Sequence, residues 1–268
     1  MIPLHDRNPT TRRAYVTLLL IVACTVVYFA VQERPGRYDI VRVGGQNVQI
    51  DASVRFTLEY AAVPCEITHG RPLTIEEIDA TFNGDQAKAC ESHPTSPELF
   101  AHKNVWLAVL TSIFLHGSIL HLAGNMLFLW VFGNNIEDHL GHGMYLAFYL
   151  AGGLVAAIAH IAVQPDSTLP VVGASGAIAA VMGAYLVWFP RARVTSLIIL
   201  IVIPIVAAVP AMWLLSLWFV SQFFTAPDSS VAWVAHVAGF IFGALVALAV
   251  RRNDMARAAV WRGRPARS

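Results

Sequence analysis

Three groups of polar residues lie inside stretches of the chain that are otherwise apolar. They are Gly173-Ala174-Ser175-Gly176, His236, and the pair His121 and Asn125. Polar side chains inside an apolar span cost free energy and are therefore candidates for function. A serine hydroxyl becomes an effective nucleophile when a base takes its proton, and a neutral imidazole can be that base. These residue types predict acyl-transfer chemistry, with Ser175 as nucleophile and His236 as general base.

The surroundings of the serine are suited to a developing oxyanion. Ser175 begins a predicted helix, where free backbone N–H groups and the helix dipole favour negative charge. His121 and Asn125 are at positions i and i+4, so they share one helix face and can both donate side-chain hydrogen bonds. The acidic candidates Asp166 and Asp228 belong to loops. We therefore predict a Ser–His dyad without a carboxylate.

The predicted depths of these residues agree. With 1.5 Å per residue and a core of about 30 Å, Ser175 should lie roughly 9 Å below the outer surface. The same count places His236 about 8 Å and His121 about 12 Å below it. The second and fourth spans then seem too short to reach the outer surface as helices. Non-helical backbone at membrane depth requires a buried or water-filled cavity, which a hydrolase needs.

The composition of the chain indicates a membrane protein. The 268 residues are 56% hydrophobic and 13% charged, with a mean hydropathy of +0.58, whereas soluble domains are about a quarter charged. A net charge of +1 does not indicate nucleic acid as a partner. Apolar runs predict six membrane spans, at 14–31, 121 to 133–136, 144–163, 174–189, 195–223 and 231–250.

Basic residues predict the orientation of these spans. The clusters at 7–13, 191–193 and 251–267 fall on one side, which should be the cytoplasm. We divide the chain into a cytoplasmic N-terminus (1–13), a first transmembrane helix (14–31), an extracytoplasmic loop with an interfacial segment (32–118), a core with spans two to six (119–250) and a basic cytoplasmic tail (251–268). Within the loop, residues 41–58 could form short strands. Cys65 and Cys90 could form a disulfide or remain two thiols.

Other polar and small residues have simpler interpretations. Gly239 and Gly243 form a Gly-x-x-x-Gly pair that would let span six approach span four. Glu137 suits a structural hydrogen bond or solvent exposure, and His160 suits the interface. His116, His121 and Asn125 could together bind a metal. However, the sequence has no His-Glu-x-x-His signature and no acidic residue close to these three in span two. We predict neither a metal nor a cofactor.

Taken together, the motifs resemble those of the rhomboid intramembrane serine proteases. The matching residues are His116-x4-His121-x3-Asn125, Glu137-x3-Gly141, Gly173-Ala174-Ser175-Gly176 and Ala235-His236-x2-Gly239-x3-Gly243. The resemblance covers about residues 100–250. It implies an all-α, six-helix rhomboid-like bundle with the long first loop as an addition. It also implies a lateral gate in the fifth span, whose kinking Pro204 and Pro210 make plausible.

The resemblance also implies roles for single residues. Ser175 and His236 would form the dyad, and the Ser175 N–H, His121 and Asn125 the oxyanion hole. His116 would support the first loop. Ala179 stands where some members carry an aromatic residue that stacks on the histidine, so what packs on His236 is left open.

The implied function is an intramembrane serine endopeptidase that cleaves transmembrane helices of single-span or polytopic membrane proteins. Its implied location is a plasma membrane or bacterial inner membrane, with both termini cytoplasmic and the lipid bilayer as its surroundings. Two alternatives stay open from sequence. One is a catalytically silent rhomboid-like protein that binds transmembrane helices, and the other is a small transporter with a polar site near the bilayer midplane.

Overall fold

The protein is mostly helical, and the computed structural model describes residues 1–33, 36–43, 46–84, 89–91, 95–200, 203–225 and 232–262. Within these ranges the helices are α1 (Tyr15–Val26), α2 (Ala52–Tyr60), α3 (Pro64–His69), α4 (Ile75–Asn83), α5 (Val105–Thr111), α6 (Ile119–Leu140), α7 (His142–Val163), α8 (Ser175–Trp188), α9 (Ala211–Ser221) and α10 (Trp233–Arg262). The strands are β1 (Ile2–Asp6), β2 (Tyr38–Val43), β3 (Gln46–Asp51), β4 (Arg193–Leu200) and β5 (Ile203–Pro210). Turns of other helix types extend α1 over Val27–Gln32, α5 over Ser112–Phe114 and α9 over Gln222–Phe224. Residues 226–230 of the predicted loop before span six (225–230), the first residue of that span (231) and the end of the basic tail (263–268) lie outside the described residues.

Four helices of the described chain are long and apolar enough to cross a membrane. They are Tyr15–Gln32, Ile119–Leu140, His142–Val163 and Trp233–Val250, which correspond to predicted spans one, two, three and six. The fourth predicted span is the apolar helix α8, which has only 14 residues. The structure therefore describes a membrane protein with four full-length candidate spans and further, shorter apolar helices.

Helix α6 is longer than the sequence predicted. Its 22 residues rise about 33 Å, so the expectation that span two is too short to cross is wrong. The helix continues through Asn135 and Glu137 because their side chains are buried and bonded to the N-terminal part of the chain. Glu137 accepts the N–H groups of Val16 and Thr17, each at 2.8 Å, and Asn135 Nδ2 donates to Asp6 at 2.5 Å. Glu137 thus makes structural hydrogen bonds at the start of α1, the first of the two roles considered for it.

The first half of the predicted fifth span is not a helix. Residues 195–200 lie in β4 and residues 203–210 in β5, which pair antiparallel, and β1 pairs with β4 to give the sheet order β1-β4-β5. Ile and Val favour strands, and Pro204 would break a helix but is tolerated in an edge strand such as β5. Helix α9 begins only after Pro210. The all-α expectation is therefore corrected, since two small sheets accompany the helices.

The long first loop is a folded unit, which we call the first-loop domain (the described residues between 36 and 104). The hairpin β2–β3 occupies part of the predicted strand region, and α2 starts directly after it. Cys65 and Cys90 form a disulfide, which answers the alternative left open by the sequence. A buried ion pair joins Lys103 Nζ to Glu66 Oε2 at 2.5 Å. These bonds give the domain its own internal cross-links.

The first-loop domain is also attached to the segment that precedes Ser175. The N–H of Val171 donates to the carbonyl of Ala62 at 2.8 Å, and the N–H of Cys65 donates to the carbonyl of Ser167 at 2.9 Å. Residues 164–172 therefore run between the domain and the start of α8. Their position depends on contacts from both.

Helices α8 and α10 approach each other closely through glycines. A Cβ atom on Gly239 would collide with the carbonyl oxygen of Gly176, and one on Gly243 with that of Ala180. On the opposite helix, a Cβ on Gly183 would collide with the carbonyl of Phe240. Small residues allow such backbone contact between membrane helices. The contact brings the first turns of α8 and α10 side by side.

Candidate active site

Ser175 and His236 are in direct contact. The Oγ atom of Ser175 and the Nε2 atom of His236 are 2.8 Å apart. Ser175 is the first residue of α8, and His236 lies in the first turn of α10. The contact follows from the glycine packing, because Gly239 is one turn after the histidine and touches Gly176, next to the serine. The two residues predicted to share a depth therefore share a hydrogen bond.

Gly173 has a backbone conformation that suits glycine. Its φ is +121°, which side-chain-bearing residues rarely adopt. A Cβ atom there would lie 2.8 Å from the His121 ring and 3.5 Å from Asn125 Nδ2. Gly173 N–H donates to the carbonyl of Ser112 at 2.9 Å. The backbone before Ser175 is thus held against α6 at the turn that carries the polar pair.

The predicted oxyanion donors lie beside this turn. His121 and Asn125 are one helical turn apart on α6, and both line the same cavity as Ser175 and His236. Asn125 Nδ2 is buried and makes no hydrogen bond to any of the described residues. A buried N–H donor without a partner is costly, and this one belongs to a residue that lines the cavity beside Gly173. The geometry therefore brings all four predicted chemical residues to one place.

His116 lies behind this site. It is fully buried, and its ring packs edge-on against the ring of His121, with centroids 5.3 Å apart. Its backbone is held by Gln32 at the end of the first span, through hydrogen bonds to the carbonyl (2.6 Å) and from the N–H (3.0 Å). Gln32 thereby ties the segment that leads into α6 to the end of the first span.

Two residues that the sequence did not single out contact the histidine. The Nδ1 atom of His236 is 2.7 Å from the Oε1 atom of Gln222. The ring of Trp218 packs on His236, with centroids 5.8 Å apart. Trp218 is therefore the aromatic residue that packs on the imidazole. Ala179 contributes only a small buried side chain close to Gly239. An amide inside an apolar stretch was the available signal for Gln222.

His160 is not an interfacial residue as predicted. Its side chain is buried at 7% exposure, and it faces the same cavity as His236. The prediction placed it near the outer end of α7 as an interfacial residue, but helix α3 of the first-loop domain packs against α7. His160 therefore belongs to the interior of the site.

A cavity of about 1150 Å³ opens above the Ser–His pair. It exceeds the roughly 300–1,000 Å³ that is usual for small-molecule sites. Its floor carries polar side chains of the membrane helices, and one wall comes from the first-loop domain through Ser53, Val54, Thr57 and Phe82. The non-helical residues Val171 and Val172, which precede α8, line this cavity, as expected for irregular backbone among membrane helices. The cavity has room for an extended polypeptide segment.

Comparisons with known proteins give a consistent result. A sequence model of a known family, described as the Rhomboid domain, matches residues 103–253, more than half of the chain. The chain is similar to Rhomboid protease GluP of Bacillus subtilis (strain 168), with 40% identity over 105 residues that cover 37% of this chain and 20% of that protein. It is similar to Presenilin-associated rhomboid-like protein A, mitochondrial, of Danio rerio, with 35% identity over 95 residues that cover 35% of this chain and 25% of that protein. It is also similar to Rhomboid protein 1, mitochondrial, of Saccharomyces cerevisiae, with 27% identity over 143 residues that cover 52% of this chain and 40% of that protein. The chain thus spans less than half the length of these curated relatives.

Proposed function

The chain belongs to the rhomboid family, and on that premise we propose that it is an intramembrane serine endopeptidase that cleaves membrane-spanning segments of other membrane proteins. The observation that carries the proposal is the 2.8 Å contact between Ser175 Oγ and His236 Nε2 beside a buried, unpaired amide donor. A serine that merely packs between helices needs neither a base nor an unpaired hydrogen-bond donor nearby.

The reaction uses the described groups in sequence. The Ser175 hydroxyl gives its proton to His236 Nε2 while Oγ attacks the carbonyl carbon of the scissile bond. The carbonyl oxygen becomes an oxyanion and accepts hydrogen bonds from the Ser175 N–H and the side chains of His121 and Asn125. The imidazolium then protonates the leaving amine, and the peptide C–N bond breaks to leave an ester on Ser175.

Hydrolysis of the ester completes the cycle. A water molecule from the cavity gives a proton to His236 and attacks the ester carbonyl, and the same donors stabilise the second oxyanion. The histidine returns its proton to Ser175 Oγ as the ester bond breaks. Both half-reactions need an imidazole that is neutral at the start and has Nε2 free to accept a proton.

The proposed setting is a bilayer with the site below the outer surface and both termini in the cytoplasm. The support is the basic clusters at the ends of the spans and the first-loop domain above the cavity. The relatives include a bacterial protein and proteins whose names carry the word mitochondrial. The proposed location is therefore a bacterial plasma membrane or a mitochondrial membrane. Reporter fusions after residues 13, 90 and 250 test the orientation.

The decisive experiment is cleavage of a labelled transmembrane substrate by the full chain in lipid vesicles. Ser175→Ala and His236→Ala should each reduce the rate by roughly 10⁴-fold or more, as for other serine hydrolases. The matched controls are Ser221→Ala and His102→Ala, since both residues are exposed, and these should cleave normally. Undiminished cleavage by either site variant would refute the proposal. Substrate-helix binding without cleavage by the unaltered chain would favour the silent, helix-binding alternative.

A further inference from the structure

Gln222 occupies the position next to the histidine where many serine hydrolases carry a carboxylate. Its Oε1 atom is 2.7 Å from His236 Nδ1, on the opposite side of the ring from Ser175. The side chain is buried at 8% exposure. Among the described residues, it is the single hydrogen-bond partner of Nδ1. A buried amide in this place requires an explanation beyond packing.

The orientation of the Gln222 amide is fixed by a contact of its NH2 group with a carbonyl oxygen. Its Nε2 group donates to the carbonyl oxygen of Trp218 at 3.0 Å. A carbonyl oxygen can only accept, so the NH2 end of the amide must face Trp218, and Oε1 must face the histidine. Since Oε1 can only accept, Nδ1 of His236 must carry a proton. The neutral ring then has its lone pair on Nε2, the atom that contacts Ser175.

We propose that Gln222 is a positioning residue that holds His236 in the tautomer and orientation required of the general base. This inference rests on the proposed function. The arrangement is a Ser–His–Gln chain of hydrogen bonds, in which the amide does for ring orientation what a carboxylate does in a triad. Trp218, on the turn before Gln222, limits rotation of the ring from its face.

A neutral amide suits this depth better than an acid. A carboxylate among membrane helices costs free energy unless it is paired, whereas a neutral amide whose oxygen and NH2 both have partners does not. The amide stabilises the imidazolium less than a carboxylate would, so its contribution is mainly to orientation. We therefore expect a smaller effect on catalysis than that of a triad aspartate.

Gln222 comes from a different helix than either dyad residue. It begins the turn that extends α9, while Ser175 and His236 belong to α8 and α10. The orientation of the base thus depends on the position of α9 against the other two helices. The glycine contacts between α8 and α10 bring the two side chains together, and α9 supplies the third point that fixes the ring.

The test uses the full chain in lipid vesicles and two readouts. One is the rate at which an alkyl fluorophosphonate labels Ser175, and the other is kcat and KM for a labelled transmembrane substrate. Gln222→Met keeps the length of the side chain but removes the acceptor. It should lower the labelling rate and kcat by about 10–100-fold, the effect seen when a metal-binding histidine loses the partner that orients it, with KM unchanged within about twofold.

Two further variants separate positioning from folding. Gln222→Glu keeps an oxygen acceptor at the same place and should retain more of the labelling rate than Gln222→Met. Ser221→Ala removes a second partner of the amide NH2 group, which lies 3.2 Å away, and leaves the contact with the histidine, so its rate should equal that of the unaltered chain. The final extent of labelling and the Tm report the folded fraction for each variant.

The outcomes distinguish this inference from the proposed function. Labelling of Gln222→Met at the normal rate would overturn the positioning role, and so would a lower final extent and Tm with a normal rate in the folded fraction. Cleavage by Ser175→Ala, measured in parallel, would instead overturn the proposed function itself. A normal rate in Gln222→Met with no cleavage by Ser175→Ala would leave a dyad without a third member.

Discussion

Gln32 and His116 exchange two hydrogen bonds, although they are 84 residues apart in sequence. The amide of Gln32 donates to the carbonyl of His116 at 2.6 Å and accepts from its N–H at 3.0 Å. The Gln32 NH2 group also donates to Thr57 Oγ1 at 3.2 Å. One side chain therefore joins the end of the first span, the first-loop domain and the segment that leads to the oxyanion donors.

Replacement of this amide should destabilise the protein. In Gln32→Met the buried N–H and C=O of His116 lose their partners, at a cost of about 1–3 kcal/mol for each group. We expect a lower Tm in detergent and slower fluorophosphonate labelling of Ser175. Gln49→Met, at an exposed strand position, is the control and should melt as the unaltered chain does. Equal melting of the two variants would contradict the structural role of Gln32.

Removal of the unpaired amide donor should affect the transition state more than substrate binding. Asn125→Ala should lower kcat by about 10²–10³-fold, as for other oxyanion donors, with little change in KM. Asn83→Ala, at an exposed position in α4, should leave both values unchanged. A rise in KM at constant kcat would show that Asn125 binds the ground state and would remove it from the oxyanion site.

The disulfide of the first-loop domain should be worth a measurable part of its stability. Cys65 and Cys90 are 25 residues apart, and a loop of this length corresponds to about 3.5 kcal/mol in the chain-entropy account. The Cys65→Ser, Cys90→Ser double variant should melt at a lower temperature than the oxidised chain. Reductant should lower the Tm of the unaltered chain and leave that of the double variant unchanged. A Tm that responds to neither change would contradict this prediction.

Acid should weaken the first-loop domain through Glu77. Burial opposes ionisation of this carboxyl, but hydrogen bonds from Arg71 and from the N–H groups of Thr74 and Glu91 outweigh it and hold the pKa at about 2. Because the pKa is depressed in the folded state, the stabilisation is complete above the ordinary value of 4.5 and is lost as the pH falls towards 2.

The two residues whose variants test this prediction are neighbours in the first turn of α4. Glu77→Gln should lower the Tm at pH 7 and flatten its dependence on pH between about 4.5 and 2. Glu76→Gln, exposed on the same helix, should retain the dependence of the unaltered chain. Identical pH profiles for all three proteins would show that Glu77 does not carry the effect.

The chemical residues were predictable because their cost in free energy is visible in the sequence. Ser175, His236, His121 and Asn125 are polar groups in apolar stretches, and counting residues along separate helices placed them at one depth. Gln222 escaped this reasoning although it is equally polar. Its partner is on a helix that follows a loop, and a hydrogen bond between helices leaves no periodic signal.

The hydropathy of the sequence led to a wrong prediction of a membrane helix where an apolar stretch forms strands. Residues 195–223 are apolar enough for a long span, but β4 pairs with both β5 and β1, and the second pairing depends on the distant N-terminal residues. Conversely, the polar end of α6 suggested that a span had stopped, because Asn135 and Glu137 find their partners elsewhere in the chain. Both errors come from partners that are remote in sequence.

The glycine contacts between α8 and α10 limit where residues can be inserted into this chain. Each residue of a helix turns its successor by about 100°, and Gly239 and Gly243 lie so close to the α8 backbone that a Cβ atom on either would collide with it. An insertion of one residue between His236 and Gly239 would swing the imidazole about a quarter of a turn away from Ser175. An insertion in a loop does not rotate the imidazole in this way. The number of residues between the histidine and its glycines therefore sets the direction of the imidazole relative to Ser175.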